Sequence, residues 1–200
     1  QMKSVGETLA IGRTYKEALQ KGLRGLEIGR MGLGADGKCN YDPTEDDART
    51  RLIWHLRNPN PDRLFWVRAA LRNRVPGAKG RNEVYGAAAI NTPEHWASGR
   101  RNNAVMSVDE VFEITKIDRW FLSQIKEIVD IELKLDKMVI GDLDRETLRV
   151  LKQKGFSDRR LGYLLETTEH EIRKLRHTLG VRPVYKRVDT CAAEFASTTA

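Results

Sequence analysis

Cysteine is scarce in this chain of 200 residues: Cys39 and Cys191 are the two copies, and they lie far apart. So few thiols exclude a disulfide framework and fit a reducing cytosol. No apolar run approaches the roughly twenty residues of a membrane span. Gln1 to Glu7 lack the basic start and apolar stretch of a secretory leader. Position 1 is not methionine, as expected of a piece cut from a longer chain. Reactive patterns are equally thin. His170 and His177 are seven apart, which is not the spacing of a helical zinc pair, and His55 and His95 have no partner motif. Cys191 has no neighbouring histidine, lysine-rich nest or second cysteine to activate it, so it reads as a small buried apolar side chain. No Ser-His-Asp set or carboxylate pair can be picked out by spacing.

What is present is ordinary for a globular protein: 32% charged and 40% hydrophobic residues, on a length sufficient for one or two domains. The net charge of +7 permits anionic partners without demanding them, because 35 basic and 28 acidic residues are largely interleaved.

Helix-start signals dominate the pattern. Thr14 and Glu17 form a capping-box pair ahead of Ala18, Leu19, Leu23 and Leu26. Asp42 and Pro43 open a second helix lined by Leu52, Ile53 and Leu56, and Asn60-Pro61 starts a third carrying Leu64, Val67 and Leu71. Residues 76–103, rich in Gly, Asn and Arg, have no sustained period and read as a long inserted loop. Ser107 and Glu110 make a second box. The longest helix follows, with Ile117, Phe121, Ile125, Ile128, Ile131 and Leu135 expected on its apolar face and Trp120 beside it. Asp144, Ser157 and Thr168 cap three shorter helices, and Gly180 suits the left-handed position after the last. After Pro183 the chain turns extended. The expected fold class is all-α: an irregular bundle of about eight helices with extended segments at both ends.

Three features invite a functional reading. Gly32, Gly34 and Gly37 match the G-x-G-x-x-G spacing of a dinucleotide loop, but a helix precedes them where a strand is required. Turns that need glycine after a helix account for them better. Trp54, Trp66 and Trp120 fall within helices and suit a core or a subunit contact, whereas Trp96 lies in the insertion. Residues 157–180 read as two short helices around a polar turn, with Arg173, Lys174, Arg176 and His177 on the second, the outline of a helix-turn-helix DNA reader. Glu166, Glu169 and Glu171 crowd the end that would approach the bases, where phosphate repels them. This module is the alternative reading, and nucleic acid is not the expected partner.

Four blocks in order, "QMKSVGETLAIGRTYKEALQKGLRGLE", "ITKIDRWFLSQIKEIV", "LKQKGFSDRRLG" and "EIRKLRHTLGVRPVYKRVDTCAAEFA", resemble the middle of the carbamoyl phosphate synthetase large subunit. The resemblance covers nearly the whole chain except the insertion at about 77–105, where relatives pass directly to the "SVDEVF" block. It implies a non-catalytic oligomerisation and linker segment between two ATP-grasp synthetase halves. Residues 1–13 would end the first half, which makes carboxyphosphate and carbamate. Residues 14–182 would be the helical oligomerisation domain, and 183–200 would begin the second half, which phosphorylates carbamate. The parent would be an ATP-dependent carbon–nitrogen ligase using bicarbonate, two ATP and ammonia from a glutaminase small subunit, for arginine and pyrimidine synthesis. ATP, with magnesium or manganese, would bind outside this segment, which implies no catalytic residue, metal or cofactor here. Met2, Val5 and Glu7 are implied as lining of the passage along which carbamate travels. Leftover amphipathicity on the second and third helices makes Ile53, Trp54, Leu64 and Trp66 the candidate subunit interface of a homo-oligomer. A cytoplasmic location and no membrane partner are expected.

Overall fold

A polar side chain placed just ahead of an apolar period starts most of the helices, because it accepts a hydrogen bond from an otherwise orphaned backbone N–H. The computed structural model describes residues 7–34, 36, 38, 41, 47–72, 106–185 and 188. Among these the chain forms eight α-helices, one 3₁₀ turn and no strand. The helices are α1 (Tyr15–Gly25), α2 (Ala48–Arg57), α3 (Arg63–Leu71), α4 (Val108–Thr115), α5 (Arg119–Leu135), α6 (Arg145–Gln153), α7 (Asp158–Leu164) and α8 (Glu169–Thr178), with the 3₁₀ turn Ile140–Asp142 after α5. The expected all-α class and helix number are observed.

The capping boxes at Ser107/Glu110 and Thr168/Glu171 are complete: each hydroxyl accepts from the N3 backbone N–H and each glutamate accepts from the cap N–H. The box expected at Thr14 is half formed. Thr14 caps Glu17 N, but the Glu17 carboxylate accepts from Arg13 N at 2.8 Å instead of from Thr14. Asp118, Asp144 and Ser157 cap α5, α6 and α7. Gly180 ends α8 at φ +67°, in the expected left-handed conformation. Asp42 and Pro43, the expected start of the second helix, lie outside the described residues; its described span follows Asp47.

Helix α5 is the spine. It packs on α1, α3 and α4, while α2 lies against α3 and α4, and α7 pairs with α8. One continuous core joins Leu23 to Ile172. The buried face of α5 is Leu122, Ile125, Ile128, Val129, Glu132 and Leu135, which corrects the expected stripe. Ile117 precedes the helix, Phe121 is 41% exposed, and Ile131 only flanks the core. The rotation follows from a charged residue, Glu132, taking a central core position that an apolar pattern cannot see. Helix α1 needs a similar correction. Its buried positions are Lys16, Gln20 and Leu23, with Leu19 at the margin and Leu26 40% exposed.

Candidate functional site

The polar face of α1 has a helical period. Lys16, Gln20 and Arg24, four residues apart, all point into the bundle. Lys16 Nζ donates to Gln124 Oε1 at 2.7 Å and to Glu127 Oε2 at 2.6 Å, bolting α1 to α5. Gln20 Nε2 donates to Lys154 O, and Arg24 Nη1 to Gly155 O, fastening α1 to the turn after α6. Gly155, at φ +90°, makes that approach possible: a Cβ there would lie 3.0 Å from Glu17 Cα.

At the centre of the bundle the fully buried Glu132 carboxylate gathers three arginines from two other helices and the residue that ends one of them. Arg68 donates to Glu132 Oε2 through Nη2 at 2.6 Å and Nε at 3.1 Å, and Arg72 donates to the same oxygen while its Nη2 reaches Asp136 Oδ2 at 2.7 Å. Arg160 of α7, also fully buried, pairs with Glu132 Oε1 and donates to Gln20 Oε1. Burial, then the charges of Arg68 and Arg72, push the Arg160 guanidinium well below its ordinary pKa. The charge of Asp36 opposes that shift. One acidic side chain thus ties α3, α5 and α7 together, and through Gln20 it also holds α1.

The glycine segment covers this cluster. A Cβ on Gly32 would lie 2.9 Å from both Arg160 Nη1 and Gln20 Oε1, and one on Gly34 would lie 2.8 Å from Arg68 Cδ and Nε. Both glycines have positive φ, +144° and +143°, where side chains are strained. The spacing that imitates a phosphate loop is therefore a lid of bare backbone over buried guanidiniums; Gly37 lies outside the described residues.

A second lock joins the last three helices. Lys152 Nζ donates to Asp158 Oδ1 at 2.8 Å, and Arg176 donates to Asp158 Oδ2 and to Val181 O. Burial raises the Asp158 pKa, but the Lys152 hydrogen bond and the Lys152 and Arg176 charges outweigh it and hold the carboxyl below its ordinary value. Arg173 is paired with Glu169 at 2.5 Å. Two of the four cations expected to meet DNA phosphates are thus occupied within the chain, and nothing supports the helix-turn-helix reading.

The candidate interface residues separate on inspection. Trp66 is 5% exposed, its ring stacked on His55 with centroids 4.0 Å apart, inside the chain's own core. Ile53 and Leu64 are half-buried against that core. Trp54 is 57% exposed and meets His55 edge-on. A second exposed aromatic group lies elsewhere: Trp120 (54% exposed), for which a core or a subunit contact was expected, and Phe121, expected in the core, stand at the start of α5 against Tyr15 of α1. Of the passage candidates, Glu7 is exposed, while Met2 and Val5 lie outside the described residues, as do Cys39, Cys191, His95 and Trp96. Among the described residues no group of three or more His, Cys, Asp or Glu could hold a metal ion, and no helix is long and apolar enough to cross a membrane.

Comparison with known proteins gives one consistent result. The family model for the carbamoyl-phosphate synthetase large chain oligomerisation domain matches residues 7–85 and 97–180, so residues 86–96, within the expected insertion, fall between its two segments. The carbamoyl phosphate synthase large chain of Archaeoglobus fulgidus is 43% identical over 203 aligned residues, spanning all of this chain and 16% of that protein. Those of Vibrio cholerae and Pseudomonas aeruginosa are each 44% identical over 200 residues, spanning all of this chain and 15% of theirs. The chain thus covers about 15–16% of the length of the curated relatives it matches. With a family match over most of its residues, the chain belongs to the carbamoyl-phosphate synthetase large-chain family, as the oligomerisation domain.

Proposed function

We propose that this chain is the assembly module of a glutamine-dependent carbamoyl phosphate synthetase and performs no chemistry itself. The observation that carries this is the Glu132 cluster: the densest group of charges described here is buried under Gly32 and Gly34 and used in helix packing, not turned towards a ligand. The parent ligase would combine bicarbonate, ammonia from glutamine and two ATP, with magnesium or manganese, in the cytoplasm, feeding arginine and pyrimidine synthesis. Residues 1–13 would close the first synthetase half and 183–200 open the second, leaving 14–182 as the module between them. A glutaminase small subunit would complete the complex.

Self-association would use the face of α2 and α3 on which Trp54 stands out, with Ile53 and Leu64 at its margin and Trp66 supporting it from beneath. An exposed tryptophan on a rigid helix is the kind of anchor that dominates subunit contacts. Glu7, with Met2 and Val5, would line the carbamate passage, where exclusion of water protects a labile intermediate. The direct test is incubation of the chain with ATP, magnesium, bicarbonate and ammonia. No ADP release above the protein-free rate is expected, and release abolished by denaturing the chain would overturn the proposal.

A further inference from the structure

Three aromatic rings form a platform across the start of α1 and the start of α5. Tyr15, Trp120 and Phe121 meet edge to face, with centroids 5.4, 5.1 and 5.0 Å apart. Each ring braces the other two, so the group is preorganised, yet Trp120 and Phe121 turn outward from a helix whose opposite face is buried in the core. Its margin is polar: Arg119, half exposed, donates to Asp109 Oδ1 at 2.6 Å while lying 3.5 Å over the Phe112 ring. Rigid aromatic anchors inside a polar rim are the usual composition of a docking surface.

The chain leading into α1 indicates what docks there. Residues 8–12 fold back along α1. Lys21 Nζ donates to Ile11 O at 3.1 Å, and a Cβ on Gly22 or Gly25 would lie 3.6 Å from Ala10 Cβ or 2.5 Å from Thr8 Oγ1. Gly12 is held as closely against Ala18 N, at 2.6 Å from its would-be Cβ. Tyr15, Ala18, Gly22 and Gly25 follow one another at steps of three and four, so they share one side of the helix. The lead-in and the platform therefore lie on the same side of α1, and Leu9 of the lead-in is 82% exposed.

We propose that the Tyr15–Trp120–Phe121 platform is the seat of the synthetase half that residues 1–13 would close in the parent chain. This rests on the reading of the chain as a module between two halves. Thr8 sits beside Gly25, about 15 Å along α1 from Tyr15 at about 1.5 Å per residue. A body of several hundred residues has a radius of gyration of roughly 20 Å, so its footprint exceeds that separation. Pinned at Thr8 and free of slack through Gly12, it is held over this side of α1 at high effective concentration. A second copy of the module has no such tether.

The test is hydroxyl-radical footprinting of the intact parent large subunit, reading oxidation at Trp120 and at Trp54, above and below the concentration at which the oligomer dissociates. Trp120 is expected to be several-fold less reactive than its exposure in the module alone implies, and to stay protected when the sample is monomeric. Full reactivity of Trp120 in the monomer overturns the proposal, and so does protection that disappears on dilution, which would make the platform a contact between copies. Sedimentation of the same samples separates this from the assembly reading: Trp120 protected in a subunit that never self-associates leaves the docking intact and removes the oligomerisation role. Replacing Trp120 by glutamate in the parent should increase protease cleavage within residues 7–14 without changing oligomer mass; unchanged cleavage counts against docking.

Discussion

Replacing Glu132 by glutamine keeps the side-chain volume and removes the one carboxylate that faces Arg68, Arg72 and Arg160 together. The new amide also turns an N–H₂ towards guanidinium donors, which have nothing to accept with. Breaking a buried ion pair by removing one partner costs about 3–5 kcal/mol, because the other charge is left buried. Arg72 keeps Asp136 at 2.7 Å, which limits the loss at that arginine; Arg160 keeps only the more distant charge of Asp36 and should account for most of the effect. A protein of this kind has only about 5–15 kcal/mol in total, so the substitution should remove a large share. With a urea dependence of about 3 kcal/mol per molar, the unfolding midpoint followed by far-ultraviolet circular dichroism should fall by roughly 1–1.7 M. Glu113→Gln is the matched control. It breaks a pair with Lys116 in which both side chains are more than half exposed, and such solvent-screened pairs contribute little to stability. If the Glu132→Gln midpoint moves no further than the control, the claim that this carboxylate holds the bundle together is wrong.

Gly34→Ala puts a methyl 2.8 Å from the Arg68 side chain at φ +143°; a loss of about 1–3 kcal/mol in the same urea assay is expected, and a neutral effect would mean the segment does not cap the cluster. Asp158, with its folded pKa held below the unfolded value, stabilises the chain fully above the unfolded pKa of about 4 and loses that contribution as pH falls through the lower folded one. Asp158→Asn should therefore lower the melting temperature at pH 7, with the gap to the parent sequence closing below about pH 4; a gap independent of pH would refute the assignment. In the complete enzyme, Glu7→Ala should raise ATP consumed per carbamoyl phosphate formed, and unchanged coupling would remove Glu7 from the passage.

Helix positions were legible because they are written in local chemistry. Ser107, Asp144, Ser157 and Thr168 are caps wherever they stand before an apolar period, and Gly180 ends a helix through its own backbone. The faces of α1 and α5 were less legible. Lys16, Gln20 and Glu132 occupy core positions, and an apolar count treats each as solvent-facing. The available signal was register: Glu132 stands four residues after Ile128 and seven after Ile125, inside the buried stripe. Its partners could not be found that way, since Arg68 and Arg160 are 64 residues before and 28 residues after it. The purpose of Gly32 and Gly34 was hidden for the same reason, because the side chains that exclude a Cβ come from α3 and α7. Trp66 and Trp54 look alike in sequence; only the stacking of His55 on Trp66 separates a buried ring from an exposed one.

Sedimentation equilibrium of the chain across the micromolar range, beside its Trp54→Ala variant, tests most directly whether these helices exist to assemble. The expected result is an average mass that rises with concentration above 22.8 kDa for the parent sequence and rises less for the variant, with both remaining helical. A single mass of one chain at every concentration would contradict the account.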